Sequence, residues 1–578
     1  MTLFLSQKGH VKPKHVVMFN QIAEEIRLPF TLHIASLSKG QQDNIDWWIS
    51  SPMSRDNLIS PLYNSCCSLI LLKKLLNENY EINLISTDSF VLKKVIQNYL
   101  KKNKIRINVV CEIKIKQRLK QLILPILRCL WIFIRQFYQW IQINKVIKKC
   151  TKLNNEPITL IDTFIAGGFN ENKDKYYGDL WNNLDEKYQE SVYFVPTINF
   201  DNKNKTKVVS LKMSKSKKNF LFKEKFLKFS DYVFVFFYPL RIALTKIPQL
   251  EFMGFDIMPL IKNELRSMIA FDQVCIALLN YRFAHRLKEK NIKLRLVVNW
   301  FENQILDKGW NSGFRKCYPE TPTVGYVGYI APLNWLSRYP SESEYQALVI
   351  PEQICVVGRG HVERTKVFCQ RLDVFVGPAF RFQGVWDKRK TVPDEKYFNV
   401  LVALPIMMKE TTEILQLVTK GLEKNRINNL CIKIKPHPTV PKESIKNAFG
   451  ENWPSLFEFV EEDFNKCVEK SHLLISNASS VCVETLAKGI PVIIAGSQTR
   501  LTQNPIPETI IEDIWRLCYT PEDLGNAIEF YAFRDEEKVK HHQAMGRIIR
   551  ENYFEPVTRE SVTRFLKTPS VADTSSST

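Results

Sequence analysis

The sequence predicts an α/β protein of at least two domains, and three observations support this. At 578 residues the chain is too long for a single hydrophobic core. Short apolar runs that suit buried strands alternate with segments of helical apolar spacing, a pattern typical of parallel sheets covered by helices. Two predicted strands near the C-terminus end in polar turns of unusual composition, Lys433–Pro438 and Leu473–Ser480.

The composition indicates a folded protein with a basic surface. Hydrophobic residues make up 45% and charged residues 24% of the chain, which excludes a largely disordered protein. The formal charge is 81 − 60 = +21, which favours nucleic acid, an anionic membrane face or phosphorylated ligands as partners. We expect no nucleic-acid partner, because the sequence has no zinc-finger spacing, no aromatic RNA-binding strand and no Gly-x-x-Gly clamp in the context of a nucleic-acid module. A basic surface without a specific partner is the plain alternative.

The cysteines and the N-terminal segment predict a cytoplasmic protein. The 13 cysteines have no regular spacing and form no Cys-x-x-Cys pair, which is typical of reduced thiols. The segment Met1–Lys8 lacks a long apolar core and a cleavage site, so we expect no export. Peripheral contact with the anionic inner face of the plasma membrane stays open.

Residues 1–387 are predicted to form an N-terminal Rossmann-like domain. Its first part has the order strand, helix, strand, helix, strand, predicted at residues 29–38, 66–76, 80–86, 90–100 and 104–111. Further strands are predicted at residues 157–164, 191–198, 231–238, 294–300, 323–329, 353–357 and 373–376. The Lys- and Ser-rich residues 202–228 suit a solvated loop or helix face.

Residues 119–150 are predicted to form a helical insertion in this domain. Arg128 and Arg135 interrupt the apolar run, so it does not reach the ~20 uncharged residues of a membrane span. The segment suits either a long helix buried against its own domain or a partner, or a helix in a membrane interface with Trp, Tyr and Arg at the headgroups. We favour the buried helix, because amphipathic core helices are commoner.

A second Rossmann-like domain is predicted for residues 396–555, after a polar linker at residues 388–395. Its predicted strands are residues 398–405, 429–434, 472–475 and 491–495, and its helices include residues 413–424 and 481–488. The Ser/Thr-rich residues 568–578 are predicted to be a disordered tail.

The turn after Leu473–Ile475 has the composition of an anion site. Ser479 and Ser480 fall in the first turn of a predicted helix, where free N–H groups and the helix dipole attract anions. Glu484 lies one turn deeper on the same face, where a carboxylate suits a ribose diol. The alternative is that the two serines only cap the helix.

His437 lies between two prolines at the end of a predicted strand. Pro436 and Pro438 restrict the loop, so the imidazole is held at a low entropic cost. Lys433 and Lys435 lie on one face of the strand before it. The arrangement predicts a phosphate site, and a rigid loop with an incidental histidine is the alternative.

Together, Lys-Pro-His-Pro and the later Ser-Ser turn resemble bacterial GT-B glycosyltransferases that use CMP-activated acidic sugars, such as the capsule sialyltransferases and Kdo transferases. The resemblance implies two Rossmann-like domains facing a cleft, with the acceptor on residues 1–387 and the donor on residues 396–555. Residues expected to bind the donor are Lys435, His437, Ser479, Ser480 and Glu484. The stretches 298–304 and 376–381 are also similar to surface-carbohydrate biosynthesis proteins.

One part of the family pattern is missing. These sialyltransferases carry an acidic triplet in the N-terminal half whose carboxylate is the general base, and this sequence has none. Glu302 is the expected catalytic replacement, because it follows the strong strand 294–300 and an inverting transfer needs a proton acceptor. Asp162 and Asp46 are weaker candidates, for which we favour structural roles. A retaining mechanism stays open.

No cofactor or metal is expected, because the sequence lacks Asp-x-Asp at a strand end, a Walker motif and a Rossmann glycine fingerprint.

The predicted function is transfer of a sugar, expected to be an acidic sugar from a CMP donor, onto a surface polysaccharide such as capsule or lipopolysaccharide, or onto a lipid-linked glycan. The alternatives are a sugar-nucleotide epimerase or polyol-phosphate transferase of the same fold, and a non-catalytic assembly protein with a degenerate pocket.

Overall fold

A computed structural model describes most of the chain. The described residues are 1–112, 115–147, 156–165, 168–171, 174–198, 203–387, 396–423 and 427–567. The predicted linker at 388–395 and the predicted tail at 568–578 lie outside the described residues.

A parallel three-stranded sheet, the N-terminal sheet, is built from residues 2–111 in the order β1-β2-β3. Its strands are β1 Thr2–Leu5, β2 Leu84–Thr87 and β3 Asn108–Cys111. The helices around it are α1 Val16–Leu37, α2 Ile45–Trp48, α3 Ser51–Ser54, α4 Leu62–Asn77 and α5 Phe90–Lys102.

The strand predicted at residues 29–38 is wrong, because these residues end the helix α1. Phe30, Ile34 and Leu37 are buried and recur at helical spacing, whereas Leu32 is 57% exposed. Burial along these residues therefore has the period of a helix, and Pro29 is accommodated inside it. The true first strand, β1, has only four residues and was not predicted.

The helical insertion forms one long helix, α6 Ile115–Val146. Ile132, Gln136, Gln139 and Ile143 on one side of it are buried, while several apolar residues on the other side are exposed. Among the described residues, no helix combines the length and apolarity needed to cross a bilayer.

The central sheet is parallel, with six strands in the order β11-β10-β9-β8-β4-β5. Its strands are β4 Ile158–Ile165, β5 Val192–Ile198, β8 Leu294–Trp300, β9 Thr323–Val327, β10 Gln353–Val356 and β11 Asp373–Val376, and a separate hairpin holds β6 Glu251–Phe252 and β7 Phe255–Asp256. Its helices are α7 Glu186–Ser191, α8 Lys203–Ser214, α9 Phe229–Phe236, α10 Tyr238–Ala243, α11 Met258–Ser267, α12 Phe271–Glu289, α13 Ile305–Cys317, α14 Glu342–Gln346 and α15 Val362–Thr365.

The strand predicted at residues 231–238 is also wrong, because α9 and α10 occupy this position. Asp231 is fully buried near the start of α9 and accepts hydrogen bonds from Arg282, Arg286 and the backbone N–H of Lys228. These bonds fix the first turn of the helix, which outweighs the β propensity of the aromatic residues that follow.

The C-terminal sheet has six parallel strands in the order β14-β13-β12-β15-β16-β17. Its strands are β12 Phe398–Ala403, β13 Leu430–Lys435, β14 Phe457–Phe459, β15 Leu473–Ser476, β16 Val492–Ala495 and β17 Trp515–Cys518. The helices are α16 Met408–Leu422, α17 Lys442–Phe449, α18 Phe464–Glu469, α19 Val481–Leu486, α20 Pro521–Ala532, α21 Glu536–Tyr553 and α22 Arg559–Leu566. In order along the chain this is the 3-2-1-4-5-6 arrangement of a Rossmann fold, which reverses between β12 and β15.

The end of the chain returns to the central sheet. The backbone N–H of Glu555 donates to the carbonyl of Val357, its carbonyl accepts from the N–H of Ala379, and the Phe565 ring centre lies 5.3 Å from that of Tyr326. Two Rossmann-like units thus face a shared cleft, so the predicted GT-B fold class is confirmed. Residues 1–387 hold two parallel sheets, and the predicted domain limits remain a proposal.

Candidate functional site

A cleft of about 1810 Å³ lies between the C-terminal and N-terminal sheets. One wall is formed by the carboxyl ends of β12, β13 and β15, including the reversal point where ligands bind in open α/β sheets. The opposite wall carries residues that follow β1 and β2, and it is closed by α6 and α11. The backbone N–H of Val11 donates to the carbonyl of Thr499 (2.8 Å), which joins the two walls.

His437 borders this cleft. Its Nδ1 accepts a hydrogen bond from the backbone N–H of Thr439 (3.3 Å) and is 2.8 Å from the Thr439 hydroxyl. The proton of the neutral ring is therefore assigned to Nε2. Burial and then the charge of Lys175 lower the pKa of His437, so at neutral pH it offers a neutral N–H donor.

The lysines beside it are held by other groups. Lys435 borders the cleft, but its Nζ donates to the backbone carbonyls of Glu461 (3.2 Å) and Glu462. Lys433 forms an ion pair with Glu458. In this arrangement Lys435 stabilises the loop after β14 and does not offer a free ammonium group to a ligand in the cleft.

The serine turn lies on the same wall of the cleft. Ser476 Oγ donates to the carbonyl of Ala403 (2.9 Å), which ties the ends of β15 and β12 together, and Ser479 borders the cleft. Ser480 is the N-cap residue of α19, yet its side chain makes no capping hydrogen bond. Simple capping therefore does not explain Ser480. The helix has only six residues, so its dipole is small.

Glu484 lies one turn further along α19, and neither it nor Ser480 is among the residues that border the cleft. Burial raises its pKa to about 7, while Arg381 and Lys488 oppose this change. Arg381 follows β11, borders the cleft and places its guanidinium 5.6 Å from the ring centre of Trp300. Arg381 therefore connects the predicted ribose site to the central sheet.

Positive charge surrounds the cleft near His437 and Ser479. Lys8, Arg381, Lys409 and Arg500 border the cleft. Arg500 Nη1 lies 3.5 Å from Glu410 Oε1, and the buried Nε of Arg500 has no hydrogen-bond partner among the described residues. This arrangement suits an anionic group.

Glu302 is held in place by three donors. Its carboxylate accepts from Trp300 Nε1 (2.7 Å) and Gln304 Nε2 (2.9 Å) and pairs with Arg338 Nη1 (2.8 Å). It is not among the residues that border the cleft. A group so engaged is a poor proton acceptor, so this geometry does not favour the predicted catalytic role.

The other two carboxylates, Asp46 and Asp162, do not border the cleft. Asp46 forms a two-pronged ion pair with Arg241 at 2.6 and 2.9 Å. Asp162 is buried in β4, and burial raises its pKa to about 7.

Two residues that were not predicted from the sequence lie across the cleft from His437 and Ser479. Asp88 follows β2 and accepts from Ser6 Oγ (2.6 Å) and the Gln7 backbone N–H (2.8 Å). His10 follows β1, and both residues border the cleft. Burial, Lys409 and Arg500 lower the pKa of His10, which Asp88 opposes. Recognising the four-residue strand β1 would have drawn attention to a histidine just after a strand end.

The described residues contain no group of three or more His, Cys, Asp or Glu side chains arranged to hold a metal ion. The arrangement can bind a phosphate on one wall and accept a proton on the other.

Neither a protein-family model nor a curated protein matches this sequence. Several solved structures are similar in fold. UDP-GlcNAc 2-epimerase from Neisseria meningitidis, bound to UDP-GlcNAc, is 12% identical over 71% of this chain and 100% of that chain, with a TM-score of 0.43. MurG from Acinetobacter baumannii is 11% identical over 71% and 99%, with a TM-score of 0.38. The α,α-trehalose 6-phosphate synthase from Burkholderia multivorans is 9% identical over 73% and 98%, with a TM-score of 0.41.

Proposed function

We propose that this chain is a glycosyltransferase that moves a sugar from a nucleotide onto an acceptor hydroxyl. The observation that carries the proposal is the cleft itself. Its donor wall holds Ser479 at the reversal point of a Rossmann-ordered sheet and His437 after the neighbouring strand β13, and its opposite wall holds His10 and Asp88.

The donor is proposed to be a CMP-activated acidic sugar. His437 Nε2 and Ser479 are assigned to the phosphate, and Glu484 to the ribose. Ser480 is assigned beside Ser479, because its hydroxyl is not used as a cap. The choice of CMP rests on the similarity of the Lys-Pro-His-Pro and Ser-Ser motifs to enzymes that use it. The basic residues of the cleft suit a sugar that carries its own carboxylate.

Transfer then proceeds by a direct displacement. The acceptor oxygen forms a bond to the anomeric carbon as the bond from that carbon to the phosphate oxygen breaks. The acceptor proton passes to an imidazole nitrogen of His10, and the leaving nucleotide keeps the electron pair. His437 and Arg500 stabilise the charge that develops on the phosphate. The acceptor is proposed to be a glycan of a surface polysaccharide or a lipid-linked glycan.

The test is transfer activity with CMP-, UDP- and GDP-sugars, measured as release of the nucleotide. We expect His437→Ala to lower kcat/KM about 100-fold or more with the preferred donor, because a preorganised donor to the leaving group is lost. The matched control is His541→Ala, which removes an exposed histidine from α21. Wild-type turnover by His437→Ala would contradict the assignment.

A sugar-nucleotide epimerase is the second candidate, and one observation favours it. Glu410 borders the cleft, and burial raises its pKa, as expected for a carboxyl that exchanges protons with a sugar. Incubation of each donor without an acceptor separates the two functions. An isomerised sugar-nucleotide would identify an epimerase, whereas a donor that stays unchanged until acceptor is added would identify a transferase.

A further inference from the structure

An apolar cavity of about 750 Å³ lies beside the cleft, between α6, α10 and α11. This volume is within the range of about 300–1,000 Å³ that is typical of small-molecule sites. Most of the side chains around it are aliphatic or aromatic, among them Ile126, Leu130, Phe236, Phe237, Leu240 and Leu265.

The helices that wall this cavity also expose apolar side chains to solvent. Trp131 and Ile134 on α6 are 56% and 63% exposed, and Leu240 and Leu244, on and after α10, are 61% and 82% exposed. Apolar patches on monomeric proteins are usually binding surfaces. An apolar ligand could therefore enter the cavity across a surface that favours it.

The cavity opens into the cleft of the proposed active site. Pro125, Ile126 and Arg266 border both spaces. Arg128 and Lys262 lie on the same two helices as these residues, and like Arg266 they are exposed. Within the described parts of the chain, none of these three cations forms an ion pair or a side-chain hydrogen bond. Unpaired cations between an apolar space and a sugar site fit a phosphate.

We propose that the acceptor is a sugar carried on a lipid phosphate, and that the single apolar chain of this lipid lies in the cavity. Its phosphate or diphosphate lies at Arg128, Lys262 and Arg266, and its sugar reaches His10 in the cleft. The identity of this ligand as the acceptor rests on the proposed transferase function. The proposed site for the lipid tail rests on the cavity, the exposed apolar side chains around it and the three cations.

The test is binding of inorganic phosphate, geranyl phosphate and farnesyl phosphate to the full chain, measured by titration calorimetry. Each buried methylene strengthens binding about fourfold, which corresponds to about 0.8 kcal/mol. We therefore expect farnesyl phosphate to bind on the order of 1,000-fold more tightly than geranyl phosphate, since it is longer by one isoprene unit of about five carbons.

Two pairs of variants locate the site. Phe237→Ser should weaken farnesyl phosphate binding about tenfold or more, because apolar contact area is lost, while Phe533→Ser, which alters a 67% exposed phenylalanine elsewhere, should not. Arg266→Gln should weaken both lipid phosphates about tenfold through the headgroup, while Arg559→Gln on α22 should leave them unchanged.

A parallel titration with CMP and UDP separates this inference from the proposed function. Nucleotide binding without any dependence on lipid chain length would overturn the lipid site and leave the transferase proposal standing. Chain-length dependence without nucleotide binding would support the lipid site and count against the donor pocket. Binding to anionic phospholipid vesicles that Phe237→Ser abolishes, with no affinity for farnesyl phosphate, would identify a membrane-facing surface and overturn the proposal.

Discussion

Replacing His10 by asparagine should remove most of the transfer activity. Burial, Lys409 and Arg500 lower the pKa of His10 from its ordinary 6.5, so the imidazole is neutral at pH 7 and can accept a proton. Loss of a general base lowers rates by about 10²–10⁴-fold. At 1.36 kcal/mol for each factor of ten, this is about 2.7–5.4 kcal/mol of transition-state stabilisation.

The pH dependence of activity gives a sharper form of the same prediction. Protonated His10 cannot act as a base, so kcat/KM should rise with pH, with a midpoint below 6.5. Lys409→Gln removes a charge that lowers this pKa, so the midpoint should move to higher pH. Asp88→Asn removes a charge that raises the pKa, so the midpoint should move to lower pH. The assay is kcat/KM from about pH 5 to pH 8 at fixed ionic strength.

Two results would refute this reasoning. One is activity of His10→Asn within about threefold of the wild type, since a general base contributes far more than that. The other is a midpoint that neither Lys409→Gln nor Asp88→Asn moves. His541→Asn is the matched control, because it makes the same change on the exposed face of α21.

Three further predictions follow from the geometry. Glu344→Gln should lower the free energy of unfolding by about 3–5 kcal/mol in urea titrations, because it leaves Arg55 and Lys308 without their buried counter-charge. The paired cations lower the pKa of Glu344 to about 2 against burial, so its stabilisation should be present above pH 4.5 and fade as the pH falls toward 2. Glu484→Gln should weaken nucleotide binding about tenfold at pH 8 and less at pH 6, where the wild-type carboxyl with a pKa of about 7 is largely protonated. Glu302→Gln should lower kcat/KM far less than His10→Asn, because its carboxylate is already held by three donors.

Each of these has a control or a refuting result. Glu342→Gln changes an exposed neighbour of Glu344 and should cost less than about 1 kcal/mol. Nucleotide affinity of Glu484→Gln that equals the wild type at both pH values would remove Glu484 from the ribose site. Equal losses for Glu302→Gln and His10→Asn would restore Glu302 as a catalytic candidate.

The sequence predicted four of the six strands of the C-terminal sheet, because these strands have both strong apolar runs and clear turn residues, and it missed the edge strands β14 and β17. β13 and β15 begin and end within two residues of their predicted limits. The two wrong strands failed for a shared reason. An apolar run of eight to ten residues has no clear period when read alone, and buried contacts elsewhere decide between helix and strand. For α9 that contact is Asp231 with Arg282 and Arg286, about fifty residues away.

The candidate site was predictable on one wall only. His437 and Ser479 are carried by local motifs, so their position at the cleft followed from the sequence. The pKa of His10 is lowered by Lys409 and Arg500, which lie about 400 residues or more further along the chain. No local sequence pattern shows that these residues come close together. Glu302 was chosen from its place after a strand, but the ion pair with Arg338 that occupies it is a tertiary contact.

Nucleotide binding at His437 decides whether the cleft is a nucleotide-sugar site. Thermal unfolding of the wild type and of His437→Ala is compared with CMP, UDP, CDP and GDP, with His541→Ala as the control. A nucleotide at 100 times its dissociation constant adds about 2.7 kcal/mol of stability. We predict this gain for CMP with the wild type and His541→Ala, and its loss in His437→Ala at the same concentration. Stabilisation by no nucleotide, or equal stabilisation of all three proteins, would contradict it.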